Sequence, residues 1–463
     1  MSRRCWTRTS EALAAGLLAA LILPPVLAGA QQTPPEQYRV YTDAPRLFLR
    51  PQRLRLLRRE RERQSVRWMQ FNALLSGGAP MREPGFADAL WFAISGDKTA
   101  GRKAAEWALL DSAAHDMKEP RQLALVLDWC RDALSDDERR TMVRHLLGTL
   151  ASEDARNTVR VRDRVLAAIA IAEYEPAASE RTLESVVEHW WREQTAPRLR
   201  SGELGFSQAE LYPLFEIIHA VRDNLNIDLR EDAPGYFRPL PLWYVASFYP
   251  APWEAAASEF RIPSWAGNGE PDVRGAALAR AAGLAMVASD TNATEVQYAQ
   301  GFLMHDRFMM RDSFGAPYEF LWANPYQPGL AYTLLPGIFY DAQRGALFVR
   351  SSWDEDARWF GIVGGEFQLF EDGRVHVLEM GPAGAAPRPL EVGTAEVVQW
   401  RIPLRVEAGA DTLFVVGAQA GAKYNVEIED EEMQECEADR AGTVRLDLPK
   451  DRRMWVYLGA AGR

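Results

Sequence analysis

From Pro51 to Met310 apolar residues recur at the three- and four-residue spacing of a helix face, with no strand-like run between them. Pro51 to Leu75 sets the pattern. Leu54, Leu57, Trp68, Phe71 and Leu75 are interleaved with Arg and Glu, and Pro51 stands where a first helical turn tolerates it. Further helices are expected at Phe86 to Ser95, Thr99 to Ala114, Pro120 to Leu134, Asp136 to Ala151, Asn157 to Ala172, Ser179 to Gln194, Phe206 to Asn226, Val273 to Ala288 and Glu295 to Met310. Short loops separate them, which excludes a parallel sheet, whose strands must alternate with helices. The segments share no strict repeat, so a toroid of unequal helix pairs is expected rather than a uniform solenoid.

Near residue 345 the period changes. Ala346 to Arg350, Trp359 to Val363, Glu366 to Phe370 and Arg374 to Leu378 are short, rich in β-branched and aromatic residues, and broken by Gly or Asp-Gly turns. Ile402 to Glu407, Thr412 to Val416, Tyr424 to Ile428, Thr443 to Leu448 and Met454 to Tyr457 continue the pattern to the end. Helices first and strands second predict an all-α toroid domain over 45–340 and an antiparallel β-sandwich domain over 341–463, with a small β subdomain from residue 401.

Residues 1–30 carry Arg3, Arg4 and Arg8, an apolar stretch around Leu17 to Leu23 and a small-x-small site at Ala28-Gly-Ala30. This is the pattern of an export signal, followed by a linker over 31–44. A membrane anchor is the other reading, but Pro24 and Pro25 interrupt the apolar run short of the ~20 residues a span requires. The protein is therefore expected in a periplasm or outside the cell. Cleavage removes Cys5 and leaves Cys130 and Cys436, too few for a disulfide framework and without metal-type spacing. A hydrophobic share of 47% with 15 Trp and 19 Phe can fill sizeable cores and excludes a disordered chain. The net charge of −11 argues against general nucleic-acid or anionic-membrane binding, so an acidic ligand needs a local basic pocket. There is no phosphate-binding Gly loop, no Gly-x-Ser-x-Gly elbow and no His-Glu-x-x-His site, and neither metal nor cofactor is implied.

Three segments resemble secreted polysaccharide lyases of the heparinase II/III-like group, in the alginate-lyase superfamily. Pro45-Arg-Leu-Phe-Leu-Arg-Pro-Gln-Arg-Leu54 looks like that group's opening turn before the first helix. Asp128-Trp-Cys-Arg-Asp-Ala-Leu-Ser-Asp-Asp-Glu-Arg139 is similar to its Asp-Trp segment between helices, and Leu347-Phe-Val-Arg-Ser-Ser-Trp-Asp-Glu-Asp-Ala357 resembles the first strand of its β-domain. The resemblance implies an incomplete (α/α) toroid followed by an antiparallel β-sandwich. It also implies β-elimination on uronates, in which one group neutralises the sugar carboxylate while others remove the C5 proton and protonate the leaving oxygen. One departure bears on activity. Trp359 to Gly373 keeps the strand and the turn of the group but has no His-x-His-x-Asp stretch, and His376 is the one histidine of the β-region.

At 100° per residue Tyr212, Glu216, His219 and Asp223 fall on one stripe of the helix from Phe206 to Asn226, opposite Leu214, Ile217, Ile218, Val221 and Leu225. The resemblance makes Tyr212, which follows Ser201-Gly-Glu-Leu-Gly205, the candidate base or acid, with His219 beside it and Glu216 toward substrate. A solvated helix face is the other reading. By the same resemblance Asn157 is a candidate to neutralise the carboxylate, and Arg160 and Arg164 share its face, where guanidinium can grip a carboxylate in two-pronged fashion. The competing reading is a capping Asn with surface arginines. In Pro241 to Trp253, the rings of Trp243, Tyr249 and Trp253 can line a sugar groove or pack between helices. The arginines from Arg53 to Arg67 could attract polyanions, but Glu60 and Glu62 interrupt them, so a solvated, salt-bridged helix face is expected.

Three functions remain open. The first is an exported lyase-like protein that acts on or binds an acidic, uronate-containing polysaccharide. The second is a non-catalytic glycan-binding pseudoenzyme. The third is a glycoside hydrolase on a helical toroid, which needs two facing carboxylates from Glu210, Glu216 or Asp223.

Overall fold

The computed structural model describes residues 37–110, 119–151, 157–255, 258–267, 271–305, 308–379, 386–429, 433–449 and 452–461, without the side chains of 253–255 and 258–260. The expected export signal lies outside the described residues, as does the first part of the linker. Tyr38–Arg463 forms one compact unit.

Its first part is helical: α1 (Pro51–Glu62), α2 (Val66–Ser76), α3 (Pro84–Ser95), α4 (Lys98–Leu109), α5 (Pro120–Trp129), α6 (Asp136–Leu150), α7 (Thr158–Ala170) and α8 (Pro176–Ser185), which runs on as a π-helix over Val186–Thr195. There follow α9 (Ala196–Arg200), α10 (Gln208–Leu225), α11 (Pro234–Phe237), α12 (Leu240–Ala246), α13 (Val273–Ser289), α14 (Thr294–Leu303) and α15 (Gly315–Trp322). In sequence order α3, α5, α7, α10, α13 and α15 each pack on the next, and α15 returns to α3. These six form the inner ring of a toroid, and α1, α2, α4, α6, α8, α12 and α14 pack outside it. A ring helix is covered on both flanks as well as behind. That is why α5 is buried at every position from Arg121 to Trp129, and α10 at most of its positions.

The expected helix from Pro51 to Leu75 is broken in two. Gln64 takes a left-handed φ of 50°, and the Ser65 side chain caps α2 by accepting the Trp68 N–H at 3.2 Å. The Asp128-Trp129 pair clamps the Pro45 segment. Asp128 Oδ2 accepts the N–H groups of Arg46 and Leu47, both at 2.8 Å, and Trp129 Nε1 donates to the Leu47 carbonyl at 2.8 Å. Two of the segments that carry the lyase resemblance are thus parts of one joint.

The hairpin β1 (Trp253–Ala255) and β2 (Ser258–Phe260) lies between α12 and α13. After α15 come β3 (Ile338–Asp341), β4 (Ala346–Arg350), β5 (Trp359–Val363), β6 (Glu366–Glu371) and β7 (Arg374–Val377), an antiparallel sheet in that order. Next come β8 (Leu390–Val392), β9 (Ala395–Gln399), β10 (Leu404–Ala408), β11 (Thr412–Val416), β12 (Lys423–Ile428), β13 (Gln434–Glu437), β14 (Thr443–Asp447) and β15 (Met454–Ala460). They make two four-stranded sheets, β14-β11-β9-β8 and β10-β15-β12-β13. Every described pairing is antiparallel except β9 with β11, which is parallel.

Side-chain alternation stacks these sheets. Leu347 and Val349 face the sheet of β9 and β11, while Phe348, between them, turns toward Ala246 and Tyr249 of the helical part. In β11, Phe414 and Val416 face the first sheet and Leu413 and Val415 face the third. The middle sheet is therefore covered on both faces, which explains the unbroken apolar run of β11.

Candidate functional site

Side chains from the ring helices meet in buried ion pairs inside the toroid. Arg121 of α5, fully buried, donates to Glu216 Oε1 of α10 at 2.7 Å and to Glu83 Oε2, which precedes α3, at 3.0 Å. Arg162 of α7 reaches the other oxygen of Glu216 at 3.2 Å and also pairs with Asp163. Tyr318 of α15 donates to Glu83 at 2.6 Å. A second cluster joins Arg67 of α2 and Arg280 of α13 to Glu319 of α15 at 3.3 and 2.8 Å. Burial opposes charge on Arg121, but Glu216, Tyr318, Tyr212 and Glu83 together outweigh it and hold the guanidinium well above its usual pKa.

Tyr212 belongs to this network. It is 1% exposed, and its hydroxyl accepts from Arg121 Nη2 and from Trp322 Nε1, both at 3.1 Å. Burial, then the charge of Glu216, pushes its pKa well above the ordinary phenol value. A phenol so placed resists becoming the phenolate that a base requires. Glu216, expected toward substrate, is wholly buried between two arginines. The stripe predicted on α10 exists, but the side bearing Tyr212, Glu216 and His219 is packed within the ring and not solvated. Ring packing, which helical spacing does not report, is the reason.

His219 is 3% exposed. Its Nε2 lies 2.8 Å from the Ala285 carbonyl, which only accepts, so that nitrogen carries the proton; Nδ1 then accepts from Arg222 at 3.1 Å. Burial, then the Arg222 charge, holds the imidazole well below its usual pKa. It is neutral, and both nitrogens are engaged.

Asn157 caps α7. It is exposed, and its Oδ1 accepts the N–H groups of Val159 and Arg160 at 3.0 and 3.3 Å. No described hydrogen bond or cavity joins it to Tyr212. Arg160 is exposed, and Arg164 lines a different cavity, with Arg181 of α8. The three carboxylates from which a hydrolytic pair would be drawn are also engaged. Glu210 receives the N–H of Ser207 at 3.0 Å at the start of α10, Glu216 lies between its arginines, and Asp223 is 3.4 Å from Arg222. His376 is exposed on β7.

No family model matches the chain, and no curated protein matches it. Solved structures that resemble it include the heparan sulfate lyase HepC from Pedobacter heparinus, 11% identical, with 81% of this chain and 75% of that chain covered at a TM-score of 0.34. A glycoside hydrolase is 7% identical, with 82% and 71% covered at a TM-score of 0.31. Similarity at this level fixes neither family nor activity.

One open space lies away from these groups. A cleft of about 460 Å³ separates the helical part from the first sheet, between the Gly202–Gln208 loop and the turn joining β5 to β6. Gly364 and Gly365 in that turn have φ of 57° and 85°, the left-handed pair of a tight hairpin, and leave the rim bare. Trp243 lines the cleft and is half-buried, beside Tyr236, Ser247, Gln208 and Arg344. Arg344 lies over the Tyr236 ring, 4.2 Å from its centroid, yet its Nη1 is buried without a partner, as is Oε1 of Gln208. Tyr249 is not in this cleft. It is 4% exposed, donates to Gln368 at 2.7 Å and packs on Trp359 and Phe370. Trp253 lies in β1, and its side chain falls outside the described residues.

Spacing did not single out Arg121, Arg162, Arg344 or Trp322. A signal for the first exists in retrospect. Arg121 opens a helix that is otherwise nearly all apolar to Leu127, and a lone charge in such a run implies a buried partner.

Proposed function

We propose that this chain is an exported glycan-binding protein, lyase-like in sequence, that does not perform β-elimination at Tyr212. One observation carries this: the groups that elimination would need are spent within the protein. Tyr212 holds Arg121 and Trp322, Asn157 holds the start of α7, and both nitrogens of His219 are bonded. A sugar carboxylate would have to displace Glu216 from two buried arginines before either could neutralise it.

Binding needs less, and the cleft beside Trp243 offers it. An indole face suits the apolar face of a sugar ring, and an unspent donor on Arg344 with an unspent acceptor on Gln208 suits hydroxyl groups. The partner is an oligosaccharide or polysaccharide met outside the cytoplasm.

Titrating the protein with a panel of uncharged and uronate-containing oligosaccharides tests the reading. Trp243→Ala should weaken binding by about thirtyfold, the scale of losing a central tryptophan anchor. Arg344→Gln should weaken it further, with both variants retaining the parent melting profile. Unchanged affinity in both variants removes the cleft from the reading.

A further inference from the structure

A second cavity, of about 590 Å³, lies at the far end of α10, where the C-terminal ends of α10, α13 and α15 meet the start of α1. Fifteen residues of helix separate Gln208 in the cleft from Asp223 in this cavity, about 22 Å at the helical rise. The two are different sites.

His219 and Trp322 line it, their rings 4.7 Å apart. Its wall carries Arg50, Arg53, Arg55, Arg59 and Arg222, against one carboxylate, Asp223. The arginines nearest the rings are held in place by carbonyls, and of the two only Arg222 is also paired among the described residues, with Asp223 at 3.4 Å. Arg53 donates to the Trp322 carbonyl at 3.0 Å, and Arg222 donates to the Ser289 carbonyl at 2.6 Å. Burial, opposed by Asp223 and aided less by Arg222, lowers Arg53 to about 10, so it remains a cation at neutral pH. No carboxylate pairs with Arg55 or Arg59 among the described residues.

Gln327 supplies an independent sign of a ligand. It lines the same cavity at 9% exposure, and neither its amide nitrogen nor its oxygen has a hydrogen-bond partner. A buried amide left unsatisfied costs stability unless something else fills its bonds. The exposed ring of Tyr326 stands beside it.

We infer that this cavity binds an acidic oligosaccharide through its carboxylate or sulfate groups. The guanidinium groups take the anionic groups in two-pronged fashion, Gln327 takes a neighbouring hydroxyl, and Tyr326 offers a ring to a sugar face. The choice of a saccharide rests on the glycan-binding reading above. The charge of the ligand rests on the arginines of this cavity, which stand out against the chain's net charge of −11.

The test is a titration of the signal-free chain with four probes: an oligouronate, a sulfated neutral oligosaccharide, the same oligosaccharide unsulfated, and a single-stranded oligonucleotide. At least one of the two acidic saccharides should bind with affinity that falls as salt rises, and which one binds tells carboxylate from sulfate. The exposed pair Arg55→Glu with Arg59→Glu should weaken that binding at least about tenfold. Gln327→Leu should weaken it while leaving the melting temperature equal or higher, an outcome that a purely structural role for the amide does not give. All four probes are titrated against the Trp243→Ala variant as well, in which the cleft contributes little, so that binding at this cavity is read apart from binding in the cleft. In the Trp243→Ala background, equal binding of the unsulfated probe, or no further loss when Arg55→Glu and Arg59→Glu are added, would overturn the assignment. So would an oligonucleotide that binds as tightly as the best saccharide.

Discussion

Charge buried inside a helical ring is stable only when each group is matched, and Glu216 is the residue on which the matching turns. It is fully buried and accepts from Arg121 at 2.7 Å and from Arg162 at 3.2 Å. Glu216→Gln keeps the shape but leaves two guanidinium groups short of their counter-charge, a change that costs on the order of 3–5 kcal/mol. Urea unfolding should show that loss; a loss below about 1 kcal/mol would mean that the pairs are solvated like surface ones. The same residue shows what spacing can and cannot tell. Helical geometry placed Tyr212, Glu216 and His219 on one side of α10, and they are there. Spacing is silent on what covers that side, because the partners, Arg121, Arg162 and Trp322, come from helices far away in sequence. Asn157 was legible as a cap because capping is local: its oxygen meets N–H groups two and three residues on.

At the scale of elements, the junction between α12 and the first sheet rests on β4 and β5. Arg350, 3% exposed, donates to the carbonyls of Ala246 and Phe248 at 3.1 and 3.0 Å, where the end of α12 leaves acceptors unfilled. Trp359 Nε1 donates to the same Ala246 carbonyl at 3.0 Å. Burial, then the neighbouring Arg261, lowers Arg350 to about 9, so the guanidinium is retained in spite of its surroundings. Arg350→Met fills similar space without the bonds and should cost about 3 kcal/mol, seen as a lower melting temperature; an unchanged melt would show that the junction holds by apolar packing alone. Strands whose covered faces give a strong local pattern were legible residue for residue, as with Ala346–Arg350 and Thr412–Val416. Three features were not. The eight-residue α15 is short and contains Pro317, so its period is too brief to register. The split between α1 and α2 depends on one left-handed residue, Gln64. The parallel pairing of β9 with β11 is a long-range choice that neither strand encodes by itself.

The whole molecule is a helical toroid followed by three stacked sheets, the first seated on the helices through Phe348, Trp359 and Phe370. Change of period along the chain announces that order, because each layer buries its own apolar face. The segments behind the lyase resemblance do structural work here: Asp128 and Trp129 fasten the Pro45 segment, and Trp353 Nε1 donates to the Leu335 carbonyl at 2.9 Å. Likeness in such segments speaks for architecture, whereas chemistry depends on free groups, and those of the lumen are bonded to one another. The direct test is to incubate the protein with a panel of uronate polysaccharides, following the ultraviolet absorbance of unsaturated ends alongside calorimetric binding. Saturable binding with no unsaturated product from any substrate is the expected result. Product that accumulates with time and disappears in Tyr212→Phe would contradict it.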